Sequence, residues 1–179
     1  MTTDAPRQVP GSPGPDVLRR LPEALRGVAY SAARHPVAGA PDCPSATAAG
    51  AGAGPAGLAE GANCQLYAYA VLGHFGLVVP ALRSSELWAD DRATRRVERL
   101  RPLDLVLFDA GPAEDRPAGY GAHVGVHVGG DAVLHLCREV GRPAVWSYAD
   151  FAARPRYARF LGAKRVVGTA VEDGTTPGG

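Results

Sequence analysis

The order of apolar and polar positions divides the chain in two. From Asp16 to Arg34, apolar Val17, Leu18, Leu21, Leu25, Val28 and Ala29 recur at near-helical spacing, with Asp16 as N-cap. Pro22 interrupts that run at a residue type suited only to a helix start. Asn63 to Phe75 contains no proline, and Leu66, Tyr67, Ala70, Val71 and Leu72 fit a buried helix. Asn63 is its expected cap and Gly76 its expected C′ residue. Residues 84–96 read as a second, more polar helix capped by Ser84 or Ser85.

Beyond residue 100 the period shortens to two. Strands are predicted over Leu105 to Phe108, His123 to Val128, Ala132 to Leu136, Ala144 to Ser147 and Arg159 to Val167. Gly129-Gly130-Asp131 reads as a tight hairpin turn between two of them. Helices first and antiparallel strands afterwards predict an α+β fold, with N-terminal helices packed on a central antiparallel sheet. The expected organisation is a disordered arm over 1–15, one domain over 16–170 and a disordered tail over 171–179. Inside the domain, residues 36–61 are nearly all Ala, Gly and Pro and are expected to form a long loop.

Composition narrows the function classes. The formal net charge of +1 supplies no basic field for nucleic acid. No stretch is apolar enough to span a membrane, and the N-terminus has no signal-peptide pattern, so a cytoplasmic protein is expected. The Arg, Ala, Gly and Pro bias fits a GC-rich bacterial genome and carries no functional weight. Cys43, Cys64 and Cys137 form an odd, sparse set, which argues against a disulfide framework.

One cysteine stands apart. Cys64 falls in the first turn of the predicted helix, where the helix dipole lowers a thiol pKa and free backbone N–H groups face an oxyanion. Residues 123–128 read His-Val-Gly-Val-His-Val, so His123, Gly125 and His127 share one face of a strand. His135 follows on the partner strand, within one or two positions of cross-strand register with His123. Nucleophile Cys64, base His123 and orienter His135 make a complete triad, and no cofactor or metal is needed.

Five segments in order carry a resemblance. They are Asn63-Cys64, Leu100-Arg101-Pro102-Leu103-Asp104-Leu105-Val106-Leu107-Phe108, His123-Val124-Gly125-Val126-His127-Val128-Gly129, His135, and Phe160-Leu161-Gly162-Ala163-Lys164-Arg165-Val166. This series resembles the NlpC-type family of papain-like cysteine peptidases. The family has Asp-Cys-Ser-Gly at its helix start, whereas this chain has Asn63-Cys64-Gln65-Leu66. The second of these segments looks like the family's Leu-x-Pro-Gly-Asp-Leu-Val-x-Phe strand.

The resemblance implies a papain-like fold and a cysteine peptidase or amidase that cleaves an amide of a peptide-like or small-molecule acyl substrate through a thioester. A cytosolic acyltransferase or transpeptidase on a small metabolite is the runner-up. A non-catalytic domain of the same fold, or a zinc site built from His123, His127, His135, Cys64 and Cys137, is a lesser alternative. The family's Tyr upstream of the Cys, which lines the oxyanion site, has no counterpart in the 36–61 loop. Asn63, Gln65, Tyr67 and Tyr120 are the candidates to line the substrate and oxyanion site in its stead.

Overall fold

The structure, a computed structural model, describes residues 16–36 and 55–167. The expected arm, tail and most of the 36–61 loop, with Cys43, lie outside those residues. The described chain is α+β: helices lead, and six strands form one antiparallel sheet.

Two four-residue helices, α1 (Val17–Arg20) and α2 (Glu23–Arg26), replace the single helix expected over 16–34. Proline cannot donate an amide inside a helix, so Pro22 ends one and caps the next. The Asp16 carboxylate caps α1 by accepting from the Arg19 amide at 3.1 Å. Residues Pro55–Leu58 make a 3-10 turn. Helix α3 spans Cys64–His74 between Asn63 and a C-cap at Phe75, close to the predicted bounds.

The second predicted helix is much shorter, α4 (Ser84–Ala89), and its N-cap is Arg83 rather than a serine. The Glu86 carboxylate accepts from the Arg83 amide at 2.6 Å and fixes that start. Asp90 stops the helix, because its carboxylate accepts from both the amide and the hydroxyl of Thr94 at 2.7 Å. The following residues form an edge strand, β1 (Thr94–Val97), where a helix was expected.

The remaining strands are β2 (Leu105–Asp109), β3 (His123–Gly129), β4 (Ala132–Leu136), β5 (Pro143–Trp146) and β6 (Arg159–Val166). A short helix, α5 (Tyr148–Ala152), and a 3-10 turn over Pro155–Tyr157 link the last two. The sheet order is β1-β6-β2-β3-β4-β5. Central strand β2 is buried on both faces, which explains its unbroken Leu-Val-Leu-Phe run.

One face of the sheet packs on α3. Leu105, Leu107, Val124, Val126, Leu134 and Leu136 form its apolar floor. Each fully buried side chain of this size contributes about 1.5–3 kcal/mol. The opposite face carries Val106, Phe108, Val133 and Ala163 under Phe151 and Tyr157. Before β2, Asp104 is buried, and its carboxylate receives Arg165 in a two-pronged pair at 2.7 and 2.8 Å. Leu103 reaches φ +76°, a left-handed conformation that a β-carbon makes costly, at the position where the resembled motif has Gly.

Candidate active site

The start of α3 is set by two local devices. The Asn63 side chain accepts from the Leu66 amide at 2.8 Å. Upstream, Tyr30 and Ala62 form a parallel bridge, with the Ser31 amide on the Ala62 carbonyl at 2.8 Å and the Ala62 amide on the Ala29 carbonyl at 3.0 Å. Gly61 permits this close approach. Its φ is +88°, and a β-carbon there would lie 2.7 Å from the Ala29 carbonyl oxygen. The bridge therefore ties the segment after α2 to the residues that lead into Cys64.

Cys64 is half-buried at the first position of α3. Backbone N–H groups of Val124, Gln65 and Cys64 act on its sulfur, so the sulfur lies at the start of β3, next to His123 in sequence. Those dipoles and the Arg156 guanidinium favour a thiolate, but burial is the largest influence and raises the thiol pKa. The expectation that the helix start alone lowers it is overturned, because desolvation outweighs the dipole.

His123 and His135 meet on the opposite face of the sheet from α3. His123 Nε2 lies 2.9 Å from His135 Nδ1, with the two rings edge to face. Val126 pairs with Leu134 and His127 with Val133, so the register carries His135 opposite Gly125, diagonal to His123. Gly125 is what makes the diagonal reachable. A β-carbon there would meet Val133 Cγ1 at 2.6 Å and His135 Cβ at 3.4 Å.

Aromatic rings close around the pair. Trp146 and Phe151 lie 4.2 and 4.8 Å from the His135 ring, and Tyr157 lies 4.8 Å from the His123 ring. Burial is the main cause that lowers both imidazoles, His123 well below its ordinary value and His135 to about 3. Both are therefore neutral near pH 7, with one proton each.

His135 Nε2 is buried without a hydrogen-bond partner. One proton lies between His123 Nε2 and His135 Nδ1, and either nitrogen can carry it. Carried by His123 Nε2, it leaves His123 Nδ1 as a lone pair and puts the proton of His135 on Nε2.

Cys64 and His123 line one small cavity of about 60 Å³, together with Tyr30, Cys137, Arg156 and Tyr157. The other sequence candidates go elsewhere. Asn63 spends its side-chain oxygen on the helix cap. Gln65 is buried and donates to the Tyr69 hydroxyl at 2.8 Å and the Leu82 carbonyl at 2.6 Å. The Tyr67 hydroxyl donates to the Leu25 carbonyl at 3.0 Å beneath the helix. Tyr120 is exposed, under the Arg116 guanidinium. Of these four, Gln65 reaches the Cys64 sulfur through its backbone N–H.

Tyr30 is the residue that sequence reasoning passed over. Its hydroxyl is shifted up by burial and then by Cys64, which places the two groups within electrostatic reach. The available signal was simple: Tyr30 is the only tyrosine before Cys64. It precedes the Ala/Gly/Pro loop in which the family's tyrosine was sought.

Among the described residues, no group of three or more His, Cys, Asp or Glu side chains converges to hold a metal ion. His127 lies 3.2 Å from the Tyr148 hydroxyl instead. No helix of the described residues is long and apolar enough to cross a membrane.

No family model matches the chain, and no curated protein matches it. Among solved structures, the protein is similar to an NlpC/P60 family protein from Bacillus cereus ATCC 10987 at a TM-score of 0.44 and 21% identity. That likeness covers 60% of this chain and 32% of the other, so this chain spans about a third of that protein's length.

Proposed function

We propose that this protein is a cysteine hydrolase that cleaves an amide bond of a peptide-like substrate, with the activity carried by one domain over residues 16–170. The observation that supports it best is the shared cavity: Cys64 and His123 both line it, and the His123 imidazole is held through Nε2 by His135.

The chemistry follows from the charge states. With a neutral thiol and a neutral imidazole at rest, His123 acts as general base during attack. Its Nδ1 takes the sulfur proton as the C–S bond forms to the substrate carbonyl. The oxyanion is received by free N–H groups in the first turn of α3 and by the Tyr30 hydroxyl. The imidazolium returns its proton to the leaving nitrogen, the C–N bond breaks, and a thioester remains on Cys64. Water then attacks the thioester, His123 removes its proton, and the acid leaves as the thiol is reprotonated. An amine in place of water gives acyl transfer by the same steps.

Cys64→Ala and His123→Ala are each expected to lower turnover of a peptide amide by at least about 10³-fold while the melting temperature stays near that of the parent. Product masses measured with and without an added amine separate hydrolysis from transfer. Full turnover in either variant removes the proposal.

A further inference from the structure

The inner cavity, at about 60 Å³, is far smaller than the roughly 300–1,000 Å³ of a small-molecule pocket. The body of any substrate must therefore lie outside it. An open cleft of about 600 Å³ adjoins it and shares Arg138, Arg156 and Tyr157 as walls. That volume suits a small peptide-like molecule.

The cleft is also lined by Glu139 and Arg154. These two satisfy each other: the Arg154 guanidinium lies 3.2 Å from the Glu139 carboxylate, stacks 3.8 Å from the Trp146 ring centre and donates to the Asp150 carbonyl. Arg138 and Arg156 form no ion pair with any described residue. Two arginines without an ion-pair partner among the described residues thus line both the space that the substrate must fill and the cavity that Cys64 lines.

Resting on the proposed hydrolase reading, we infer that Arg138 and Arg156 form a carboxylate-binding subsite, and that the substrate carries an acidic group beside the carbonyl attacked by Cys64. Guanidinium groups match carboxylate and phosphate oxygens alike. The acidic group of a peptide-like substrate is a carboxylate, so carboxylate is the assigned ligand and phosphate is the alternative the test must exclude.

The test uses two alkylating agents of equal shape and different charge on the full chain. Iodoacetate and iodoacetamide are applied separately, and the label on Cys64 is followed by peptide mass spectrometry as the sulfur displaces iodide. The iodoacetate-to-iodoacetamide rate ratio is expected to fall about fivefold in the double variant Arg138→Ala/Arg156→Ala. Arg95→Ala, on β1 at the far edge of the sheet, is expected to leave the ratio unchanged. The double Arg→Lys variant is expected to keep most of the preference, which separates lost charge from lost folding. N-acetylglutamate is expected to protect Cys64 from iodoacetamide, and N-acetylglutamine at equal concentration is not.

An unchanged ratio in the double alanine variant overturns the inference. So does stronger protection by inorganic phosphate than by N-acetylglutamate. If His123→Ala leaves the iodoacetamide rate at Cys64 unchanged, the hydrolase reading itself fails and the subsite falls with it.

Discussion

The two faces of the sheet bury their side chains for different ends. Under α3, Leu105, Leu107, Val124, Val126, Leu134 and Leu136 make a floor with no polar atom. On the other face, Phe108, Phe151 and Tyr157 surround two histidines, one of which keeps an unpartnered ring nitrogen. The first face gains stability from every contact. The second holds buried polar groups that cost desolvation, and in exchange it fixes the orientation and neutral state of His123. A sheet one strand-layer thick keeps the two tasks apart, so each can be altered without the other.

Substitutions that strike one face alone test that separation. The largest effect is expected from His135→Leu, which removes the partner of His123 Nε2. Turnover should fall about 10³-fold, or about 4 kcal/mol in barrier, while stability changes by no more than about 1 kcal/mol. Kinetics and urea denaturation of one preparation check both numbers. Leu107→Ala on the other face should do the reverse, lowering stability by about 3 kcal/mol with kcat nearly kept at temperatures where the variant is folded. A matched loss of both quantities in either variant breaks the comparison.

Tyr30→Phe sharpens it further, because Tyr30 approaches the cavity from the bridge rather than from either face. Its hydroxyl, read as an oxyanion donor, should cost about 10²-fold in kcat with little change in KM. Equal kcat for the two proteins would return Tyr30 to a packing role.

The smallest effect is in pH dependence. The folded pKa values of His123 and His135 lie below the unfolded value of 6.5, so the unfolded chain binds protons first. The histidine face therefore contributes its full stability above about pH 6.5 and loses it as pH falls toward the folded values, about 3 for His135. Between pH 6.5 and 5 the slope from His135 alone approaches about 1.4 kcal/mol per pH unit. Urea midpoints across that range should show it in the parent and a shallower slope in His135→Leu. Identical slopes would mean that His135 is not held neutral by its surroundings.

The sequence showed the framework more readily than the walls of the site. The cap at Asn63, the hairpin between His123 and His135 and the space at Gly125 are local signals, set by residues within a few positions of one another. Long-range geometry was hidden. Tyr30 reaches Cys64 only through a bridge to Ala62, and Tyr157 arrives from the turn before the last strand. The run over 92–96 also misled, because exposed arginines satisfy a helix surface and an edge strand equally well. Asp90, bonded to Thr94, is what decides for the strand. Gln65 and Tyr67 sit close to Cys64 in the chain, but their side-chain polar atoms are engaged by the Leu82 and Leu25 carbonyls, partners far along the chain.

The bridge between Tyr30 and Ala62 also cinches the chain at both ends of the excursion that separates them. Closing such a loop depends only weakly on its length, about 0.6 kcal/mol for each doubling. Changes in the length of the chain between these two anchors are therefore expected to cost the framework little, provided that Leu58, which packs in the core, and Gly61 are kept. A reporter or a second module inserted between them is expected to leave Tyr30 and Cys64 anchored where they are.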